Sequence, residues 1–262
     1  MIEQILQNLT TQYIGHNIKY FDEIDSTNTY AKQLIKQNVP EGTLVLSNIQ
    51  TQGKGRLGRA WVSAADVGIW MSLVLYPKLK PEEISALTLV AGLAMCQSLR
   101  DITNLNIKLK WPNDLVLNRK KICGILSELI IGENDEVAVV VGIGVNVNTP
   151  KFNKSLPFAS SLFIESERQF NRADIIVNFL SEFEHLYELY NTQRNFSSFI
   201  NMYEKLCLNI GEDVYIQNND DKYIGHVISL TEKGNLLVKK KDGNFEEIFS
   251  GEVSIRGVGD YV

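Results

Sequence analysis

The sequence predicts an α+β fold: a sheet packed against helices, followed by a small β-barrel. Three observations predict it. Apolar, β-branched runs such as "TLVLSNIQ" (43–50) and "EVAVVVGIGVNVN" (136–148) are interspersed with segments of helical apolar spacing. Beyond residue 106 the β-rich runs follow one another on short links, which favours antiparallel neighbours over βαβ crossovers. From Gly211 the chain changes to short strands broken by polar turns, the pattern of a small barrel.

The elements follow in order. Residues 1–18 read as a short helix and a connector. "IKYFDEI" is a strand, and the next segment is a helix with capping residues in "DSTN" and apolar spacing at Tyr30, Leu34 and Ile35. Thr43–Gln50 is a strand leading into "GKGRLGR", and Val67–Tyr76 is a buried strand leading away from it. A long helix runs from Pro81 to about Asp101, with proline in its first turn and Glu82 and Glu83 at the positive end of its dipole. "IKLKW", "KKICGILSELII" and "EVAVVVGIGVNVN" are three strands. Residues 172–206 form two helices broken near "NTQRN". Five short strands follow, from "EDVYIQ" to "VSIRGV". The expected units are 1–209 and 210–262.

Composition excludes several classes. The 262 residues carry a net charge of −5, so any attraction for anions is local and a duplex-binding surface is disfavoured. Three scattered cysteines, with no CxxC, argue against a disulfide framework or zinc site and suit a reducing cytoplasm. The N-terminus lacks the pattern of a signal peptide, and the longest apolar run is too short for a membrane helix.

The segment Gly53–Arg59 holds three glycines and three cations in seven residues. Its G-x-G-x-x-G spacing is that of a dinucleotide fingerprint, but no helix pattern follows and residues 73–78 hold no acid. Glycines let backbone N–H groups approach a ligand, and arginine forks pair with carboxylate or phosphate. A solvated basic hairpin is the plain alternative. In "KWPND" (110–114), Pro112 and Asn113 mark a turn that Asp114 closes, and Lys120 and Lys121 begin the next strand. A carboxylate and an amide beside lysines suit a metal–phosphate site, or an ordinary hairpin. Gly142, Gly144 and Asn146 fall on alternate positions and share a strand face, leaving room for a ligand or for close packing. His16, His185 and His226 lie far from the loop in sequence, so the chemistry expected of an enzyme here needs little proton abstraction.

Taken together, these segments resemble the biotin–protein ligases. The family's G-R-G-R-x-G-R loop is "GKGRLGR" here, and its "KWPND" is unchanged. "DSTN", "KKICGILSEL", "GIGVNVN" and "ASSL" (159–162) match its other segments in order, so the resemblance runs from about residue 19 to the C-terminus. It implies a mixed sheet of the class II synthetase-like, biotin ligase catalytic fold with an SH3-like C-terminal barrel. It implies formation of biotinyl-5′-AMP from biotin and ATP with Mg2+, then transfer of biotin to one lysine of a biotin carboxyl carrier domain.

By the same resemblance, Ser26, Thr27, Asn28, Gln50, Gly53, Lys54, Gly55, Arg56, Lys121, Gly124, Gly142 and Gly144 bind biotin. Arg56, Arg59, Trp61, Asn113, Asn146 and Arg256 bind ATP; Trp61 stacks on adenine or serves as a core aromatic. Lys121, Arg56 and Asp114 are the catalytic candidates, with the metal ligands undetermined. Lipoate–protein ligase, a non-catalytic anion or nucleic-acid binder, and a dinucleotide oxidoreductase are the rival readings. Some relatives carry an N-terminal winged helix-turn-helix. Eighteen residues cannot hold one, so specific DNA is not an expected partner, and the lack of a long apolar run removes a membrane from the expected partners as well. The sequence leaves room for a homodimer.

One departure makes a prediction. Lys54 stands where the family usually has arginine, keeping the charge but losing the fork. Lys54→Arg should leave the steady-state rate of biotin activation within about two-fold; a large loss would show a bidentate contact at this position.

Overall fold

The computed structural model describes residues 1–132, 137–218, 221–250 and 253–257, with no side-chain description for 218, 221 and 253–257. A seven-stranded mixed sheet organises the first part. Its strands are β1 (Ile18–Ile24), β2 (Thr43–Gln50), β3 (Gly68–Leu75), β4 (Lys108–Lys110), β5 (Asp114–Leu117), β6 (Lys120–Ile131) and β7 (Val137–Asn146), in the order β1-β2-β3-β7-β6-β5-β4. Every neighbouring pair is antiparallel except β1 and β2. That parallel pair needs a crossover, supplied by helix α2 (Thr27–Ile35).

Strand periodicity decides which face each helix covers. On β2, Leu44 and Leu46 join the large core while Val45 faces the other way. Helices α3 (Leu87–Thr103) and α5 (Arg172–Gln193) pack on the first face, with Leu73, Val139 and Val141. Helix α2 covers only part of the second, placing Ala31 and Leu34 against Val45, Val74 and Val140. Farther along β6 and β7 the same face carries Gly124, Gly142 and Gly144, and a trough remains there. Helix α1 (Ile2–Asn8) buries Ile5, and the following connector is pinned by Glu184 of α5, whose carboxylate accepts the N–H groups of Gln12, Tyr13 and Ile14.

The C-terminal part holds β8 (Asp213–Asn218), β9 (Asp221–Leu230), β10 (Leu236–Lys240), β11 (Phe245–Ile248) and β12 (Val253–Gly257), ordered β11-β10-β9-β8-β12 with antiparallel neighbours. Trp111 ties it to the sheet. Its indole N–H donates to the Gly234 carbonyl at 3.0 Å, and its backbone N–H to Asn209 Oδ1 at 2.8 Å. Among the described residues, no helix is long and apolar enough to cross a membrane.

Three expectations need correction. Pro81–Ala86 is 3-10 rather than α, and α3 starts at Leu87; tight i→i+3 turns are common at helix starts, and this one is secured by Glu83 accepting the Lys80 N–H. Asp114 closes the turn, pairing with Lys110, but it also opens a strand the sequence did not announce, β5, which pairs with both β4 and β6. Between β7 and α5 there is a short helix, α4 (Leu162–Ser166), capped by the Ser161 hydroxyl. The break between the last helices falls as expected, with α6 spanning Ser197–Leu206.

Candidate active site

The glycine segment folds as a short hairpin. Trp61 N–H donates to the Gly53 carbonyl at 2.8 Å, Gly55 N–H to the Arg59 carbonyl at 2.7 Å, and Lys54 pairs with Ala60. Glycine is required at 53, where a Cβ would lie 2.4 Å from the Trp61 carbonyl oxygen. A single 3-10 turn, Arg56–Gly58, sits at the tip. No helix of the dinucleotide-binding kind follows; the chain continues to β3.

Below the hairpin, polar groups line the trough. Gln50 Oε1 accepts from the N–H of Thr27 at 2.8 Å and from its hydroxyl at 3.0 Å, while Gln50 Nε2 donates to Ser63 at 2.8 Å. The buried Ser72 hydroxyl lies 2.6 Å from Asn28 Oδ1 and 2.7 Å from Thr27 Oγ1. Asn28 Nδ2 donates to Glu128 at 2.8 Å, and Glu128 pairs with Lys32 at 2.5 Å. Ser26 caps α2. These groups are fixed before any ligand arrives, so the trough presents a set pattern of donors and acceptors.

The trough is narrow. Its cavity is about 40 Å³ because Trp61 lies over Gly124 and Gly144, where a Cβ would come within 2.8 Å and 2.4 Å of the indole. The Trp61 indole N–H is buried there without a hydrogen-bond partner. Next to it opens a second cavity of about 450 Å³, bordered by Arg59, Trp61, Asn113 and Asn146. Gly55, Arg56, Trp61, Asn113 and Lys121 line both.

At that junction stand the cations. Lys121 Nζ is 2.5 Å from Asp114 Oδ1 and 5.2 Å from the centre of the Trp61 ring. Arg56 donates to Asn113 Oδ1 at 2.9 Å and to the Ser250 carbonyl. Burial lowers the Arg56 pKa, Asp114 acts against this, and nearby Arg59 adds to it. A guanidinium so placed gains from any anion that enters. Asn113 is itself held by Nδ2 donating to the Ile125 carbonyl.

The Lys120–Lys121 end of β6 is braced by Phe158, Ser160, Asn146 and Glu165. Lys121 N–H donates to the Phe158 carbonyl and Ser160 N–H to the Lys121 carbonyl, while Asn146 Nδ2 donates to the Ser160 carbonyl at 3.0 Å. Glu165 gathers Ser160, Asn118 and Lys120. Burial raises its pKa, but those three hydrogen bonds outweigh it and the net shift is downward. Such a carboxylate stabilises the fold above its unfolded value of about 4.3, and the contribution is lost as pH falls through the lower folded value. Glu165→Ala should cost about 1.5–3 kcal/mol near neutral pH, read by urea unfolding, with the gap from wild type narrowing as the pH falls below the unfolded value. A gap independent of pH would contradict this.

The sequence-predicted residues gather in one place: Ser26, Thr27, Asn28, Gln50, Lys54, Gly55, Arg56, Lys121, Gly124, Gly142 and Gly144 line the trough, and Arg59, Asp114 and Asn146 line the larger cavity. Gly53 is not among the described lining residues of either cavity; it packs against the Trp61 carbonyl and shapes the hairpin instead. Arg256 falls on β12, and its side chain is outside the described residues. Ser72, Glu128 and Lys32 were missed. The signal for Ser72 was a lone polar residue within "GIWMSLVLY"; for Glu128 and Lys32 there was none, because their meeting depends on the sheet's pairing.

Comparison with known proteins addresses what this arrangement belongs to. Residues 20–146 match the model of the biotin/lipoate A/B protein ligase family. The bifunctional ligase/repressor BirA of Bacillus spizizenii is 34% identical over 255 residues, covering 96% of this chain and 78% of that protein. The chain belongs to the biotin protein ligases. A biotin protein ligase from Aquifex aeolicus, solved with biotin and ATP, superposes with a TM-score of 0.80 at 32% identity, over 93% of this ligase and all of that chain. The biotin–[acetyl-CoA-carboxylase] ligase of Paracoccus denitrificans is 38% identical over 125 residues, or 47% of this chain and 51% of that protein. The α+β fold with its mixed sheet is that of the solved biotin ligases.

Proposed function

We propose that this ligase activates biotin with ATP as biotinyl-5′-AMP and transfers it to a lysine of a biotin carboxyl carrier domain. The observation that carries the reading is the shared border of the two cavities. A fixed polar trough meets a larger, cation-rimmed cavity at Arg56, Asn113 and Lys121. An acyl group in one and a nucleotide in the other would join there.

The trough would take the biotin head group, with Gln50, Thr27 and Asn28 facing its ureido ring and the buried Ser72 holding Thr27 and Asn28 from behind. A cavity of about 40 Å³ is well below the roughly 300–1,000 Å³ of small-molecule sites, so biotin enters only as Trp61 leaves Gly124 and Gly144. The freed indole is then available to cover the adenine. The biotin carboxylate, ionised at neutral pH, attacks the α-phosphorus; the bond to the β-phosphate breaks and pyrophosphate leaves. Two anions must meet, and Arg56 and Lys121 offset their repulsion with preorganised positive charge. Among the described residues no cluster of three or more acidic, histidine or cysteine side chains could hold a metal. Asp114 is nevertheless the right donor for a magnesium ion held mainly by phosphate and water, and such an ion would neutralise phosphate charge. The acceptor amine then attacks the acyl carbon, the acyl–phosphate bond breaks, AMP departs, and the amine loses a proton. We assign catalysis to residues 1–209 and a supporting role at the Ser250 contact to residues 210–262.

The test is pyrophosphate–ATP exchange with biotin, with lipoate, or with neither. Exchange with biotin alone is expected. Exchange with lipoate alone would correct the substrate, and none with either from folded protein would return the site to a plain anion-binding surface.

A further inference from the structure

We propose that a third cavity, which borders Arg56, is the entry channel for the acceptor's lysine side chain, and that Arg56 closes its inner end. This rests on the ligase reading. The cavity has about 300 Å³ and lies between the 3-10 turn Pro81–Ala86, the start of α3, strand β6 and Ser250. It shares Arg56 and Asn113 with both other cavities, so all three adjoin where the acyl phosphate would form. The reaction brings together three reagents, and the molecule has three cavities meeting at one pair of residues. The trough and the nucleotide cavity account for two. The second nucleophile must reach the same point after they are filled, and this cavity supplies the remaining approach.

Its lining suits a lysine stem and a neutral amine. Ile84, Pro81 and Leu129 offer apolar surface for four methylenes. Ser85 and the hydrogen-bonded pair Thr88–Ser127, at 2.9 Å, offer hydroxyls but no negative charge. None of its described lining residues is a carboxylate, and Arg56 stands at the inner end. Desolvation and a like charge both disfavour an ammonium, which favours the unprotonated amine that the transfer step needs. Arg56 spans Asn113 and the Ser250 carbonyl across that inner end. When an α-phosphate draws its guanidinium toward the nucleotide, the barrier opens. The amine nitrogen then bonds to the acyl carbon, the acyl C–O bond to phosphate breaks, AMP leaves with the electron pair, and solvent takes the proton. The channel therefore opens after adenylation rather than before it.

The experiment fills the channel from two separate elements, each at an exposed position: Ser85→Phe on the 3-10 turn and Leu129→Trp on β6. Protein charged with biotinyl-5′-AMP is presented with a carrier domain or with hydroxylamine, which is small enough to reach the acyl carbon from solvent. Transfer to the carrier should fall at least about ten-fold, while hydroxylamine capture and biotin-dependent exchange stay within about two-fold. Carrier transfer at the wild-type rate in either folded variant would overturn the proposal. Equal losses toward carrier and hydroxylamine would also overturn it, by placing the effect in the cleft. Failure of exchange in the wild type would instead refute the ligase reading.

Discussion

Lys121→Ala should lower kcat for biotin-dependent pyrophosphate exchange by about 10²–10³-fold, with the KM for biotin changed far less. The lysine stands at the border of the two cavities, 2.5 Å from Asp114 and with the Trp61 ring beside it. Its charge matters most when the carboxylate and α-phosphate share oxygen, because charge then concentrates between two anions. The polar groups that would fix the head group, Gln50, Thr27 and Asn28, stand elsewhere in the trough and are braced by Ser72, so binding should survive. The variant also strips Asp114 of its ion pair, and some stability will go with it. Urea unfolding beside the kinetics separates the two effects. A variant that is fully folded and within about three-fold of wild type would remove Lys121 from the chemistry.

Gly142→Ala should weaken biotin binding by about 5–150-fold while leaving nucleotide binding near wild type. A Cβ at this position would lie 1.9 Å from Asn28 Oδ1. Asn28 cannot yield without breaking its contacts to Ser72 and Glu128, and the first of these also touches Thr27. One methyl group therefore disturbs the whole polar pattern of the trough. The larger cavity, which Gly142 does not line, is spared. Titration calorimetry with biotin and with an ATP analogue checks both halves. Equal losses for the two ligands would mean that the strain spreads through the sheet instead of stopping at the trough.

Much of the site was legible because its chemistry is written in local patterns. Three glycines and three cations in seven residues announce a loop that meets an anion. Alternate glycines at 142 and 144 announce a bare stretch of sheet, and the structure places the trough there. The helices and most strands followed from periodicity, since each face meets a different layer. What escaped depends on distance in the chain. The parallel pairing of β1 with β2 leaves no local mark, and neither does the meeting of Asn28 and Lys32 with Glu128 across about a hundred residues. Strand β5 is four residues long, too short for alternation to stand out from the turn before it. The Arg56–Ser250 contact joins positions 194 apart; the resemblance brought the C-terminal part to the cleft through Arg256, but nothing in the sequence pointed to Ser250.

The most direct test of the account is a single-turnover chase. The protein is mixed with biotin, Mg2+ and α-labelled ATP, freed of excess reagents, and then given a biotin carboxyl carrier domain. The account predicts a protein-bound biotinyl-adenylate, then one biotin in amide linkage on one carrier lysine with release of an equal amount of labelled AMP. An unmodified carrier, with label never retained or lost as AMP without transfer, would contradict it.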